Sequence, residues 1–356
     1  MALGQEGRVG APHGMAALHG MAALHGMALV GCGSAAPAIS ISNQQLSERV
    51  DTSDDWIRSR TGIGARRIAS ADEPLTELAS RAARAALDHA GWAPGDLDLI
   101  LLATSSPDDL FGTAPRVQGA LGAMNAVAFD LTAACSGFLF ALITAAQYIA
   151  TGAVRRSLVI GADQLSRWLD WNDRRTCVLF GDGAAAVAVE ACPVSETGLL
   201  GFRMRSDGSR YACLTLAQTD GRETLLPGVS TQKGGFAPIF MNGQEVYKFA
   251  VREVPQLLGE VLAATGTPAD QVDWLLLHQA NQRILDAVAD RFAVPHERVL
   301  SNLAHYGNTS AATIPLMLDE AVRDGRIQPG QLLASSGFGA GLSWGAALLR
   351  WDGPRG

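Results

Sequence analysis

Charge is scarce in this chain: Asp, Glu, Lys and Arg together make up 18% of its 356 residues. Even so, no uninterrupted apolar run is long enough to cross a bilayer, so a soluble, cytoplasmic protein with no membrane partner is expected. Basic residues are not in excess either. The formal net charge of -7 argues against general attraction to nucleic acid or an anionic bilayer, so an acidic partner must meet a local basic patch. Paired cysteines are missing too. Cys32, Cys135, Cys177, Cys192 and Cys213 are scattered without CxxC spacing, so neither a zinc site nor a disulfide framework is expected and the thiols are read as reduced. What is present is a chain long enough to bury a large core, as two domains or one duplicated one.

Residues 1–26 hold most of the tandem repeat HGMAALHGMAALHGMAL, whose six-residue period fits neither a helix face nor a strand. This segment is expected to be disordered. Its His13, His19 and His25 lack cysteine or carboxylate company for a metal, and translation from Met27 is a natural expectation. From Met27 onward helical and strand patterns alternate, which predicts an α/β fold. The order helix, Pro-Asp turn, buried strand occurs in TELASRAARAALDHAGWAPGDLDLILLATSS and again in VPQLLGEVLAATGTPADQVDWLLLHQAN, half a chain later. Two similar halves, 27–194 and 195–356, are therefore expected, with corresponding loops at one edge of paired sheets.

Three residues fall at equivalent places in that scheme. Cys135 stands where the strand-like start of FDLTAACSGFLFALITAAQYI gives way to a helix; unpaired N–H groups there favour thiolate over thiol. His278 ends the apolar strand WLLLHQAN, and Asn308 follows Gly307 at a helix start. Such a Cys/His/Asn set serves either hydrolysis, with Asn orienting His, or acyl transfer followed by carbon–carbon bond formation, with two neutral groups holding an enolate.

The motifs DTSDDWIRSRTGI, TAACSGF, FGDGAAAV, HQANQRI, YGNTSAA and GFGAGLSWGAALLRW resemble, in order and spacing, those of β-ketoacyl-acyl carrier protein synthase III, from Met27 to the C-terminus. The resemblance implies a thiolase-type fold of two similar halves in a layered αβαβα arrangement, a homodimer, and initiation of fatty acid synthesis in the cytoplasm. It implies that Cys135 takes an acyl group from acyl-CoA, a substrate, while His278 and Asn308 hold a malonyl thioester as carbon dioxide leaves. Neither metal nor cofactor is implied. By the same resemblance the backbone N–H groups of Cys135 and Ala340 form the oxyanion hole. Ala340 replaces a frequent glycine, which matters only if its φ must be positive. Trp56, Arg60, Arg174 and Asn281 would bind CoA, and Phe111 would bound the partner's acyl pocket. Acyl carrier protein would dock on Gln279, Ala280, Asn281, Gln282 and Arg283 with Lys248, Arg252 and Arg291, although Asp290 stands where relatives often carry a base. Chalcone-synthase-like enzymes share the Cys/His/Asn set and use CoA-bound starters, and a cysteine acyl hydrolase would use Cys135 and His278.

Overall fold

The computed structural model describes residues 24–355. Most of the repeat, with His13 and His19, lies outside them, and Gly26 already belongs to the first strand.

In the first half the elements are β1 (Gly26–Ala35), α1 (Asp54–Thr61), α2 (Leu75–Ala90), β2 (Leu99–Ala103), α3 (Ala114–Leu121), β3 (Val127–Leu131), α4 (Gly137–Ala150), β4 (Arg156–Gln164) and β5 (Asp182–Cys192). The second half holds β6 (Leu199–Ser206), α5 (Gly243–Thr265), β7 (Trp274–Leu277), α6 (Gln282–Phe292), α7 (Thr313–Arg323), β8 (Leu332–Gly339) and β9 (Ser343–Arg350).

One sheet has the order β1-β5-β4-β2-β3 and the other β6-β9-β8-β7. Their ladders match step for step. The pairs β1/β5 and β5/β4 are antiparallel and β4/β2 parallel; β6/β9 and β9/β8 are antiparallel and β8/β7 parallel. Where β3 closes the first sheet, the second has a single parallel bridge between Leu275 and Val299.

Alternation along the strands decides which layer each side chain joins. Leu99, Leu101, Val159 and Val187 point into a central core shared with α4, α7 and Leu276, Leu333 and Leu349 of the second sheet. Ile100, Leu102, Leu158 and Ile160 point the other way, onto α2 and α3. The outer face of the second sheet packs Leu275, Leu277, Ala346 and Leu348 against α5 and α6. This gives five layers, αβαβα. It also explains why GFLFALITAAQYIA in α4 is apolar nearly all round: a helix between two sheets is wet only near its end, where Gln147 and Tyr148 are exposed.

The outer helix α2 shows a half-buried pattern instead. Leu75, Leu78, Ala79, Ala82, Ala83, Ala86, Leu87 and Ala90 are buried at spacings of three and four, and Gly91 ends the helix in the left-handed region with φ 70°.

Candidate active site

Strand β3 delivers the chain to a single 3₁₀ turn, Ala134–Ser136, that leads directly into α4. Ala134 sits at φ 47°, a left-handed conformation held by its surroundings. Cys135, in the middle of this turn, is buried. Gly339, the last residue of β8, lies so close that a Cβ on it would stand 2.6 Å from the Cys135 backbone nitrogen, so only glycine permits that approach. The hairpin residue Ala340 follows, and it is not among the non-glycine residues with positive φ. The alanine therefore fits where relatives often place glycine.

The equivalent turn of the second half, Ser310–Ala312, leads into α7. Gly161 of β4 lets this turn sit against the first sheet, since a Cβ there would meet the Ala311 carbonyl oxygen. Asn308 just before it is buried, and its N–H donates to the Leu179 carbonyl at 2.9 Å. The Asn308 Oδ1 accepts the Ser310 N–H at 2.8 Å, which leaves the Nδ2 donors for the Cys135 thiol that the side chain also meets. Thus Asn308 fills its ordinary loop-capping role and faces the nucleophile as well.

His278 continues β7 by one residue, and its N–H donates to the Ser336 carbonyl at 2.9 Å. Its buried ring lies edge-on to Phe338, with centroids 5.4 Å apart, directly before Gly339. Nδ1 is 2.7 Å from Thr313 Oγ1. The carboxylate that orients the imidazole in a Ser-His-Asp triad has no counterpart at this ring nitrogen among the described residues.

Burial dominates the electrostatics. It pushes the Cys135 thiol up to about 12, against the lowering contributed by Ser310 and Asn308, and pushes His278 down to about 3. The expectation that the helix start would favour a resting thiolate is therefore corrected: desolvation outweighs it, and both groups rest neutral.

Sequence reasoning passed over three polar residues in this neighbourhood. Asp163 is fully buried and accepts from Thr104 Oγ1 at 3.1 Å, the Ser105 N–H at 2.7 Å, Ser106 Oγ at 2.8 Å and the Ala311 N–H at 3.3 Å. It ties the second-half turn to the first sheet, and burial raises its carboxyl. Ser310, at φ 53°, turns its hydroxyl toward Asp163 and the thiol without closing a well-formed hydrogen bond. The third is Thr313. A carboxylate inside the apolar run SLVIGADQL was the one legible signal.

On the surface, the Trp56 ring of α1 carries the Arg60 guanidinium at 4.7 Å and that of Arg174 at 5.2 Å. Arg174 Nη1 also donates to the Asp51 carbonyl at 2.8 Å. Asn281 caps α6 by accepting the Arg283 N–H at 2.9 Å, and its Nδ2 donates to the Arg60 carbonyl at 3.0 Å. Arg283 donates to the Ser59 carbonyl at 2.8 Å. The start of α6 is thereby stitched to the end of α1.

Gln279 requires a correction. It is 0% exposed, donates to the Leu277 and Leu300 carbonyls at 2.7 and 3.1 Å and accepts the Asn302 N–H at 3.3 Å, so it cannot touch a docking partner. Ala280 and Gln282 are half-buried, while Arg283, Lys248, Arg252 and Arg291 are exposed. Lys248 pairs with Glu245 at 2.9 Å and Arg252 with Glu253 at 2.8 Å. Asp290 is met by His296 at 3.0 Å. Phe111 is 99% exposed beside Leu110 at 82%, not a core aromatic.

Fold and site define the class: an acyl-transferring condensing enzyme of the thiolase fold. Residues 129–208 match the family described as 3-oxoacyl-[acyl-carrier-protein] synthase III, and residues 262–351 match its C-terminal part. The chain is 71% identical over 326 residues to beta-ketoacyl-[acyl-carrier-protein] synthase III of Synechococcus sp. (strain RCC307), covering 92% of this chain and 98% of that one. It is also 71% identical over 326 residues to the protein of that name from Prochlorococcus marinus (strain MIT 9313), covering 92% and 96%. Among solved structures, 3-oxoacyl-[acyl-carrier-protein] synthase III from Aquifex aeolicus superposes with a TM-score of 0.83 at 42% identity, covering 92% of this chain and 100% of that one. The priming beta-ketosynthase of the R1128 polyketide pathway superposes with a TM-score of 0.85 at 34% identity, covering 93% and 98%. The chain belongs to the β-ketoacyl-acyl carrier protein synthase III family.

Proposed function

We propose that this chain condenses an acyl-CoA primer, acetyl-CoA being the simplest, with malonyl-acyl carrier protein. The products are a 3-oxoacyl-acyl carrier protein, CoA and CO2, and the reaction opens fatty acid synthesis. The observation that carries this reading is a buried thiol faced by the neutral amide of Asn308, with no carboxylate among the described residues on His278 Nδ1 to prepare it as a hydrolytic base.

The chemistry divides into two half-reactions. The Cys135 sulfur bonds the acyl carbon, the bond to CoA sulfur breaks, and CoA leaves as a thiol. The backbone N–H groups of Cys135 and Ala340 are the donors proposed for the tetrahedral oxyanion, and the tight contact of Gly339 with the nucleophile turn supports that pairing. In the second half-reaction His278 and Asn308 hold the malonyl thioester oxygen. The bond to the carboxylate breaks and CO2 leaves, the electron pair stays on the α-carbon as an enolate, and that carbon displaces Cys135 from the acyl group as a thiolate, which takes a proton from solvent to restore the thiol.

CoA would lie along Trp56, Arg60, Arg174 and Asn281, its adenine competing with a guanidinium for the indole face. Phe111 would reach the acyl pocket of the other copy in a homodimer. Acyl carrier protein would meet Ala280, Asn281, Gln282, Arg283, Lys248, Arg252 and Arg291, a basic patch on an acidic enzyme. A cytoplasmic setting suits five free cysteines.

The test separates the two half-reactions. Asn308→Ala should retain acetyl transfer to Cys135 while condensation with malonyl-acyl carrier protein falls about 100-fold. Equal loss of both steps, or condensation that accepts malonyl-CoA in place of the carrier, contradicts this reading.

A further inference from the structure

Arg66 is 0% exposed, and no carboxylate among the described residues forms an ion pair with it. A buried cation so placed is costly. Neutral acceptors alone receive it: Nη1 donates to the Ile41 carbonyl at 3.0 Å, and Nη2 donates to Asn43 Oδ1 at 2.7 Å and to the Val178 carbonyl at 2.9 Å. Nε is buried without a partner, so the two terminal nitrogens set the aim of the fork. Burial pulls the group down to about 10, which leaves it charged at neutral pH. A space that needed only filling would be met by an apolar side chain. What Arg66 supplies is direction, because a planar guanidinium fixes where oxygens from three separate segments must stand.

One of those segments holds Asn308. Residues 178–181 run beside it in a parallel bridge centred on Phe180: the Asn308 N–H donates to the Leu179 carbonyl at 2.9 Å, and the Gly181 N–H donates to the Asn308 carbonyl at 3.0 Å. Arg66 grips the Val178 carbonyl at the entrance to this bridge. Its stem meets the same pairing from behind, since a Cβ placed on Gly181 would stand 3.3 Å from the Arg66 Cβ and one placed on Gly307 would stand 3.4 Å from it. Head and stem thus back both strands of the bridge.

We infer that Arg66 is a positioning residue for Asn308: by holding the Val178 carbonyl and backing Gly181 and Gly307, it fixes the backbone that presents the Asn308 amide to the site. This rests on the assignment of Asn308 to the malonyl thioester. The other side of the fork is less dependent on it. Asn43 keeps its own bonds, with Nδ2 donating to the Asp54 carboxylate at 2.8 Å and to the Ile63 carbonyl at 2.7 Å, so α1 and its Trp56 stay anchored when the guanidinium is removed. Loss of Arg66 therefore falls on condensation and spares acyl transfer from CoA.

The experiment is a double-mutant cycle on the full chain: wild type, Arg66→Lys, Asn308→Ala and the two together, with acetylation of Cys135 and the urea midpoint measured for each. Lysine keeps the charge but offers one nitrogen in place of a fork. Alone, Arg66→Lys should lower kcat for condensation about 10-fold or more, with KM for acetyl-CoA and for malonyl-acyl carrier protein held within about 2-fold. On top of Asn308→Ala it should cost less than about 2-fold further, because no amide is left to position. Arg66→Met, which has no donor, should lose more than Arg66→Lys in the first background and again almost nothing in the second; if it does not fold, the lysine cycle decides alone. Equal losses in both backgrounds would mark a merely structural role and overturn the inference. Normal condensation in Arg66→Lys, or a folded variant that loses both half-reactions together, overturns it too. Failure of the Asn308 assignment shows separately, as normal condensation in Asn308→Ala alone.

Discussion

At the scale of single residues, burial wins over position. Cys135 stands at a helix entrance, which lowers a thiol, yet its removal from water pushes it up to about 12; the sequence shows the entrance and not the depth. The same depth makes stability depend on pH in two windows. His278 has its folded value depressed from 6.5 to about 3, so its contribution is full above 6.5 and is lost as pH falls toward 3, where the unfolded chain takes up a proton that the folded one refuses. Cys135 has its folded value raised from 9.0, so its contribution is full below 9.0 and is lost as pH climbs toward 12. Urea midpoints measured across pH should therefore fall at both ends. His278→Asn should flatten the acid limb and Cys135→Ser the alkaline one; limbs unchanged by these substitutions would place both groups in water. Cys135, His278 and Asn308 were legible because each ends a strand or opens a helix in a repeated pattern. Asp163, Ser310 and Thr313 were not, since a polar residue inside an apolar run reveals its partners only after folding.

At the scale of elements, α6 shows how a motif can be read correctly and one of its residues wrongly. HQANQR looks like a continuous polar stretch suited to docking, but β7 keeps its buried course through His278 and Gln279 before the chain surfaces at Ala280. Gln279 is spent on three backbone groups, which hold His278 in place from its C-terminal side. Asn281 and Arg283 then satisfy carbonyls at the end of α1, so the helix proposed to receive the carrier also braces the one that carries Trp56. The exposed face of α5 is free of that double duty. Lys248→Glu with Arg252→Glu should raise KM for malonyl-acyl carrier protein about 10-fold, more at low salt than at high, without changing acetyl transfer from acetyl-CoA. Steady-state kinetics at two ionic strengths check this. An unchanged KM would remove α5 from the docking surface.

At the scale of the whole molecule, the two sheets repeat one strand order, and their equivalent helix entrances bring Cys135 and Asn308 to one place. The helix, turn and strand order gave that duplication away. The close fit of the halves was not readable, because it depends on missing side chains at Gly161 and Gly339. The first sheet ends in β3, an edge strand with Val127 64% exposed, and Leu110, Phe111 and Met124 are exposed as well. An uncovered edge with apolar neighbours favours pairing with a second copy. Sedimentation equilibrium should find two chains per particle, and Val127→Pro should leave single chains with lowered activity; an active wild-type monomer would contradict the dimer. Whether Cys135 is the residue that carries the acyl group is read from the mass of the intact chain after incubation with acetyl-CoA, followed by peptide mapping. One acetyl group per chain is expected, on Cys135, discharged by malonyl-acyl carrier protein and absent in Cys135→Ser. An acetyl group on any other residue, or none, would contradict it.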